Sequence, residues 1–479
     1  MKDLCYLAVE ATLNTGAEYA DVRIVERRVS SVLVKNENVE SLTDSASSGF
    51  GIRALVDGAW GFSSSSLIGK QEMKRVAEEA TRIARASGRV KRGEVELSQL
   101  TSREGSYRSE WKVDPWQVPL EEKISLLMDA QRAMEVDESI KLRTANLQAF
   151  RERWFFSSSE GSFLEQDILQ TGAGTEVLVL RGGEVHRRSY PAPFGGNFRT
   201  AGWEFIESLD LVGNAEKTAR QAVALLDAKR CPGGKADIIL GTNQLALQVH
   251  ESCGHPTELD RVLGTEASYA GTSFLSPEKL GSFPYGSESV NIVADATLDG
   301  GLGTFGYDDE GVPAQRVDLV RKGVFTGYQS SRETSVLFGQ ESSGNMRADG
   351  WSRIPLIRMT NINLLPGDWD LDELVSDTKE GIYMETNKSW SIDDLRLNFQ
   401  FATEIAWEIK DGELGDLLKY PGYTGITYDF WRSCDAVCDE GHWTLWGIPN
   451  CGKGQPGQVA RVGHATSPGR FRGVRVGVA

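Results

Sequence analysis

The segment QLALQVHESCGHPTELD (residues 244–260) holds two of the five histidines in the 479-residue chain. Its first residues are mostly apolar, which predicts a buried helix that leads into His250 and Glu251. Neutral imidazole is the commonest metal ligand in proteins and suits Zn²⁺ well. His250 and His255 are therefore the first candidates for a metal site, and the rest of the chain is interpreted around them.

The two histidines are five residues apart, a spacing that a regular α-helix cannot direct at one metal ion. Five residues leave the side chains about 140° apart around the helix axis, whereas four residues leave about 40°. Gly254 is conformationally permissive, and Pro256 disfavours the helical conformation at His255. We therefore expect the helix to end or bulge at 254–255, so that His255 swings back toward the face of His250.

Glu251 directly follows the first histidine, where a zinc peptidase places its general base. We expect it to take a proton from a zinc-bound water while that water attacks a carbonyl group. A catalytic zinc also needs a third protein ligand and one open position. The candidates for the third ligand are Cys253, Glu258, Asp260, Cys434, Cys438, His442, Cys451 and His464. Cys451 is favoured, because its stretch GIPNCGKGQPGQ (447–458) offers few other reasons for a thiol.

Further polar residues are candidates for secondary roles. Cys434, Cys438 and His442 are spaced four and eight residues apart, which fits either a second metal site or a stripe of buried thiols beside a polar turn. The candidate substrate contacts are Asp260, Asp308, Asp309 and His464. The two aspartates at 308–309 also fit a solvated acidic turn.

Composition excludes several classes of protein. The formal net charge of -16 argues against nucleic-acid binding, which depends on clustered Lys and Arg. No stretch approaches the roughly 18 consecutive apolar residues of a membrane helix. Six cysteines are too sparse for a disulfide scaffold, and the first residues do not resemble a signal peptide. The sequence predicts a cytoplasmic protein without membrane or nucleic-acid partners.

Periodic patterns predict an α+β fold. Amphipathic helices are expected at 3–13, 67–87, 120–134 and 215–228, with strand-like runs between them that include 141–150 and 154–158. The Cys-Pro-Gly-Gly cluster at 231–234 is the best candidate boundary. We predict an N-terminal α/β domain (1–230) of helices and antiparallel β-meanders, with candidate halves at about 1–110 and 111–230. A mainly β C-terminal domain (231–479) carries the metal site.

Four long motifs resemble those of the TldD/PmbA family of metallopeptidases, of the TldD type. They are the HExxxH motif with Asp260 after it, PNCGKGQPGQ (449–458), GFGIRALVDGAWGFSSSS (49–66) and GGLGTFGYDDEGVPAQ (300–315). The resemblance implies one Zn²⁺ per chain on His250, His255 and Cys451, with Glu251 as base. It also implies an enclosed site and a homodimer, or a heterodimer with a paralogous subunit that lacks the metal motif.

The predicted function is therefore zinc-dependent hydrolysis of peptide bonds in short or unfolded peptides. One alternative is a zinc amidase or deacylase that acts on a non-peptide amide, since the motif activates water without defining the carbonyl group. Another is a peptide-binding modulator subunit in which zinc is structural. A structural zinc has four protein ligands and no use for a base at Glu251.

Overall fold

The computed structural model describes residues 1–91 and 93–477. Helices and mostly antiparallel strands alternate in the first half of the chain, and strands dominate the second half. The predicted α+β class is confirmed, with the β-rich part where it was expected. The four predicted helices all form, with small shifts at their ends.

The first part contains five helices and eight strands. These are α1 (Lys2–Asn14), β1 (Tyr19–Lys35), β2 (Asn38–Val56), β3 (Ala59–Ser65), α2 (Lys70–Gly88), β4 (Glu104–Arg108), α3 (Leu120–Ala133), β5 (Ile140–Ser158), β6 (Phe163–Arg181), β7 (Glu184–Tyr190), β8 (Asn197–Arg199), α4 (Trp203–Ser208) and α5 (Leu211–Asp227). All eight strands belong to one sheet in the order β3-β2-β1-β5-β6-β4, and β7 and β8 also pair with β6.

The two candidate halves of this part share that single sheet. β1 and β5 pair from Asp21 opposite Ser158 to Lys35 opposite Thr144. The runs predicted separately at 141–150 and 154–158 are one strand, because the charged Arg151 between them pairs with Asp167 on the neighbouring strand. Charged residues therefore continue the strand instead of ending it.

Helix α2 packs closely on the sheet. Its apolar residues Met73, Val76 and Ala80 recur at helical spacing and are fully buried. Gly61 of β3 lies beneath it, where an added Cβ would come within 2.0 Å of the Ala80 carbonyl oxygen. Only glycine allows this approach.

The second part contains sixteen strands and five helices, most of them short. These are β9 (Lys229–Arg230), β10 (Gly234–Leu240), α6 (Thr242–Val249), α7 (Leu259–Val262), β11 (Ile292–Asp295), β12 (Arg316–Arg321), β13 (Val324–Phe325), α8 (Arg332–Val336), β14 (Met346–Arg347), β15 (Leu356–Ile357), β16 (Ile362–Leu364), α9 (Leu371–Asp377), β17 (Glu380–Ile392), β18 (Asn398–Lys410), β19 (Glu413–Lys419), β20 (Gly422–Ile426), α10 (Thr427–Arg432), β21 (Cys434–Val437), β22 (Thr444–Lys453), β23 (Gln458–Thr466) and β24 (Gly469–Val476).

Five of these strands form a closed sheet. The order β17-β10-β24-β20-β18 is completed by pairing between β17 and β18, and β19, β9 and β21 extend the sheet. A four-stranded sheet (β13-β12-β11-β16) and the hairpin β22–β23 lie apart from it. Helix α6 is buried from Gln244 to Val249, in the largest apolar core of the molecule. A helix enclosed in this way is a rigid support for the residues that follow it.

Among the residues that the structure describes, no helix is both long and apolar enough to cross a membrane.

Candidate metal centre

A single π-helical turn brings the two histidines of HExxxH together. It spans His250–Gly254, follows α6 directly and leads into a 3₁₀ turn at His255–Thr257. The backbone N–H of His255 donates to the His250 carbonyl group, five residues back. This wider turn places residues five apart near one face, as an α-helix does for residues four apart. The expected bulge is therefore present.

The backbone conformation at the bulge differs from the expected one. Gly254 (φ -56°, ψ -65°) and His255 (φ -63°, ψ -43°) both keep helical backbone angles, so the expectation that Pro256 forces His255 out of this region is wrong. Close packing is what favours glycine at position 254. An added Cβ would lie 2.2 Å from the sulfur of Met359.

Three side chains then meet at one point. The sulfur of Cys451 lies 3.4 Å from His250 Nε2 and 3.7 Å from His255 Nε2. Zinc bonds of about 2.0–2.1 Å to nitrogen and 2.3 Å to sulfur, at a tetrahedral angle, separate nitrogen and sulfur by about 3.6 Å. This is the only such cluster of three within the described part of the chain. The donor set and its spacing fit a tetrahedral zinc ion with one position left open.

Cys451 differs chemically from the other five cysteines. Burial raises the pKa of its thiol, but the nearby His255 and Arg358 outweigh burial, and the net pKa is below its ordinary value. Burial raises the pKa of Cys231 to about 11 and that of Cys5, Cys253, Cys434 and Cys438 to about 12. Metals bind the thiolate, so Cys451 is the best prepared ligand among them.

The structure places Cys451 in a strand, not in the Pro- and Gly-rich loop expected from its sequence. It lies in β22 opposite Ala460 of β23, just after a bulge in the hairpin. A strand fixes the direction of a side chain better than a loop does.

His464 fixes the orientation of His250. Its Nδ1 lies 3.0 Å from the Ile362 carbonyl oxygen, which can only accept, so Nδ1–H donates to it. Burial lowers the pKa of His464 well below its ordinary value, and the neutral ring therefore has an accepting Nε2. That Nε2 lies 2.8 Å from His250 Nδ1. His250 thus donates through Nδ1 and keeps the lone pair of Nε2 for a metal.

Glu258 orients His255 as His464 orients His250, through a contact with Nδ1. Its Oε2 lies 2.9 Å from His255 Nδ1 and 3.3 Å from the ammonium group of Lys453. Burial raises the pKa of Glu258, but Lys453 and His255 outweigh it and hold the pKa below its ordinary value. Lys453 lies two residues after Cys451 in the same strand. This strand therefore carries a candidate metal ligand, Cys451, and the cation that keeps Glu258, the partner of His255, ionised.

Glu251 lies beside the candidate ligands in an ion pair with Arg396. Its Oε2 accepts a hydrogen bond of 2.6 Å from Arg396 Nη1. Burial raises the pKa of Glu251, but His255, His250 and Arg396 together outweigh it, and the net pKa is below its ordinary value. The carboxylate is thus ionised, as a general base must be.

The three aspartates among the candidate substrate contacts are held by ion pairs and hydrogen bonds within the protein. Asp260 pairs with Lys453 Nζ at 2.7 Å. Asp308 is buried and accepts from the backbone N–H groups of Glu310, Val312 and Met346. Asp309 accepts from the Ala348 backbone N–H and lies 3.4 Å from Arg23. The turn at 308–309 is thus packed against the protein, not solvated. These contacts favour scaffolding roles, and substrate binding by these residues stays a prediction.

Cys434, Cys438 and His442 do not converge. Cys434 Sγ contacts the Ala436 carbonyl oxygen at 3.7 Å, whereas Cys438 packs in a separate apolar cluster. His442 Nε2 lies 3.0 Å from Asp370 Oδ2. The described residues thus offer no shared metal position here, and the stripe of thiols beside a polar turn is the better interpretation.

Three charged neighbours of the site were missed from sequence, namely Lys453, Arg358 and Arg396. Lys453 is two residues from Cys451 and so shares its face of β22, but this signal is visible only once the segment is known to be a strand. Arg396 had none, since it is 145 residues from Glu251 along the chain.

Comparisons with known proteins cover most of the chain. Three family models match: PmbA/TldA metallopeptidase domain 1 at residues 20–84, the central domain at 113–226 and the C-terminal domain at 233–477. A metalloprotease of Methanocaldococcus jannaschii is 31% identical over 95% of this chain and 96% of its own length. A zinc metalloprotease TldD homolog of Saccharolobus solfataricus is 23% identical over 89% and 90%.

Solved structures share the fold. A protein of Thermotoga maritima, described as a modulator of a DNA gyrase, superposes with a TM-score of 0.79 at 17% identity over 99% of this chain and all of its own. TldE from Thermococcus kodakarensis gives 0.72 at 16% identity over 99% of both chains. Together with the matching family models and the named metalloproteases, these findings show that the chain belongs to the PmbA/TldD family of metallopeptidases.

Proposed function

We propose that the protein is a zinc-dependent peptidase that hydrolyses peptide bonds in short or unfolded peptides. One zinc ion per chain is held by His250, His255 and Cys451. The observation that carries the proposal is the convergence of two Nε2 atoms and one thiol at tetrahedral spacing, with an ionised carboxylate beside them.

When bound, zinc would lower the pKa of water toward about 7 and polarise the carbonyl group of the substrate. The residues of the chain do the rest. Glu251 takes the proton of the attacking water and later delivers it to the leaving amine. His464 and Glu258 hold the two imidazole rings so that each Nε2 faces the same point.

Burial of the site supports an extended substrate. His250, Glu251, His255 and Cys451 are each no more than 6% exposed. A peptide bond inside a folded domain cannot reach such a position, whereas a single extended chain can. We also propose that the protein works as a homodimer, or as a heterodimer with a paralogous subunit lacking the metal motif. The fold shared with TldE supports this.

The test combines metal content with hydrolysis of a quenched library of unfolded peptides. Glu251→Gln is compared with wild type, and Glu121→Gln on the exposed side of α3 is the matched control. We expect about one zinc per chain in all three proteins, as a mononuclear site requires. Cleavage should occur with wild type and the control alone.

Other results would identify an alternative. Zinc without cleavage of any peptide by wild type, but with hydrolysis of small acyl amides, would indicate an amidase or deacylase. Zinc with neither activity, and tight binding of peptides, would indicate a modulator subunit. Wild type free of metal after purification would refute the proposal.

A further inference from the structure

We propose that Arg396 is a catalytic residue, which leaves Glu251 during the reaction and stabilises the negative charge that develops on the substrate carbonyl oxygen. This inference rests on the proposed peptidase function. It assigns a chemical role to a residue outside the HExxxH motif and the Cys451 strand.

The backbone at Arg396 is held firmly in place. The residue lies in the turn between β17 and β18 with a positive φ of 62°, unusual for a residue with a side chain. Its N–H donates to the Asp393 carbonyl group at 2.9 Å, and its own carbonyl group accepts from Thr427 Oγ1 at 2.8 Å. The neighbouring Leu395 carbonyl group accepts from the N–H of Phe274. The side chain is therefore the part of this residue that can move.

The guanidinium group is only partly satisfied where it stands. Nη1 donates to Glu251 Oε2, but Nε is buried and has no hydrogen-bond partner within the described part of the chain. Buried donors without an acceptor are rare in proteins. The side chain is 16% exposed and that of Glu251 is 7% exposed, so Arg396 is the member of the pair that is closer to solvent. A further acceptor brought by the substrate would complete the hydrogen bonding of this group.

During peptide hydrolysis a negative charge moves from Glu251, the ion-pair partner of Arg396, to the substrate carbonyl oxygen. The water oxygen forms a bond to the carbonyl carbon, and the π electron pair of that carbonyl group moves to its oxygen. The water proton goes to Glu251. The carboxylate thus becomes neutral at the moment when the substrate oxygen becomes negative.

Arg396 can keep its charge compensated only by following this shift. A half-buried guanidinium beside a neutral carboxyl group has lost its counter-charge, which is costly away from bulk water. Contact with the new oxyanion removes this cost. Preorganised donors of this kind lower the barrier when they face the charge that develops in the transition state.

The first experiment measures kinetics on an internally quenched peptide. We expect Arg396→Ala to lower kcat by about 10²–10³-fold with little change in KM, the usual effect of losing one oxyanion donor. Added guanidinium chloride at millimolar concentration should restore part of kcat. Zinc content should stay at that of wild type, and Arg82→Ala, on the exposed face of α2, is the control.

The second experiment separates contact with the oxyanion from simple orientation of Glu251. A phosphinic peptide mimics the negative tetrahedral centre, and its Kd is measured for wild type, Glu251→Gln, Arg396→Ala and the double variant. We expect Arg396→Ala to weaken binding by at least about tenfold in both backgrounds, because the contact does not depend on Glu251. Binding of an uncleaved peptide with the same side chains should change little.

Three results would overturn the inference. One is no effect of Arg396→Ala on phosphinic peptide binding in the Glu251→Gln background, which would make Arg396 a positioning residue. Another is an increase in KM confined to peptides with a free C-terminal carboxylate, which would make it a binding residue for that group. If wild type prefers the phosphinic peptide no more than the uncleaved one, the peptidase function fails together with this inference.

Discussion

Two groups of cysteine and histidine in the C-terminal part differ in how they are surrounded. Cys451 is 201 residues from His250 along the chain, yet the three ligand atoms of His250, His255 and Cys451 face one point, and polar partners orient both imidazole rings. Cys434, Cys438 and His442 lie within nine residues of one another, yet each contacts different neighbours. Closeness in sequence is therefore a poor guide to a metal site. Orienting hydrogen bonds around the donors distinguish the first group from the second.

The largest expected difference between the groups is in metal binding. Cys451→Ser should lower zinc affinity by more than about 100-fold, the upper end for loss of an outer hydrogen-bond partner alone. Cys434→Ser should retain the zinc content of wild type. Metal analysis after gel filtration measures both. Loss of zinc from Cys434→Ser at unchanged folding would place a metal in the second group.

A charged residue beside His250, His255 and Cys451 should also contribute more to the free energy of unfolding than an exposed charged residue does. Lys453 is 1% exposed on its side chain and contacts Glu258, Asp260 and Glu266. Lys453→Met removes the cation that these three carboxylates share, and we expect a loss of about 3–5 kcal/mol in the free energy of unfolding. Urea denaturation of the metal-free proteins measures it. Lys379→Met, at an exposed position before β17, is the control and should change stability by less than about 0.5 kcal/mol. Equal losses in both variants would contradict the interpretation.

Replacing His464 and replacing His442 should give a difference in zinc affinity of intermediate size. His464→Ala removes the acceptor that orients His250, and zinc affinity should fall by about 10–100-fold. His442→Ala, its counterpart in the second group, should leave zinc affinity unchanged. Competition with a fluorescent chelator gives both constants. A decrease of the same size in both variants would indicate a general effect on folding.

Thiol reactivity should show the smallest contrast, since both groups are buried. A thiol with a pKa near 12 is ionised in only about one molecule in ten thousand at pH 8, whereas the lowered pKa of Cys451 favours the thiolate. In metal-free protein, iodoacetamide should modify Cys451 at least several-fold faster than Cys434 or Cys438, and zinc should protect it. Peptide mapping by mass spectrometry identifies the modified residue. Earlier modification of Cys434 would contradict the assignment of pKa values.

Much of the fold could be predicted because apolar periodicity determines it directly. The helices around Val76 and Leu127 were found from their spacing, since these faces are buried on the sheet. Strand β5 was divided in two because Arg151 breaks the apolar pattern, and its partner Asp167 could not be located without the structure. The closure of β17 on β18 also depends on long-range pairing that no local pattern reveals.

The candidate ligands were found from sequence, but the backbone turn and the hydrogen bonds that orient them were not. The interval between His250 and His255 required a deformation, and the structure achieves it with a π turn in place of a break at Pro256. Glu258 was considered only as a ligand, whereas it contacts His255 from the side away from the metal position. Hydrogen bonds of this kind join residues without a shared sequence pattern, so only the folded structure shows them.

The distance along the chain between Cys451 and the two histidines has a consequence for biosynthesis. Cys451 is made 201 residues after His250. At a synthesis rate of about 5–20 residues per second, this corresponds to roughly 10–40 seconds. During that interval the nascent chain has both imidazole donors of the proposed site but lacks the thiol of Cys451, because β22 has not yet been translated. On the proposed ligand set, zinc insertion therefore follows the translation of β22, and a bound metal would mark a chain whose β22–β23 hairpin has folded.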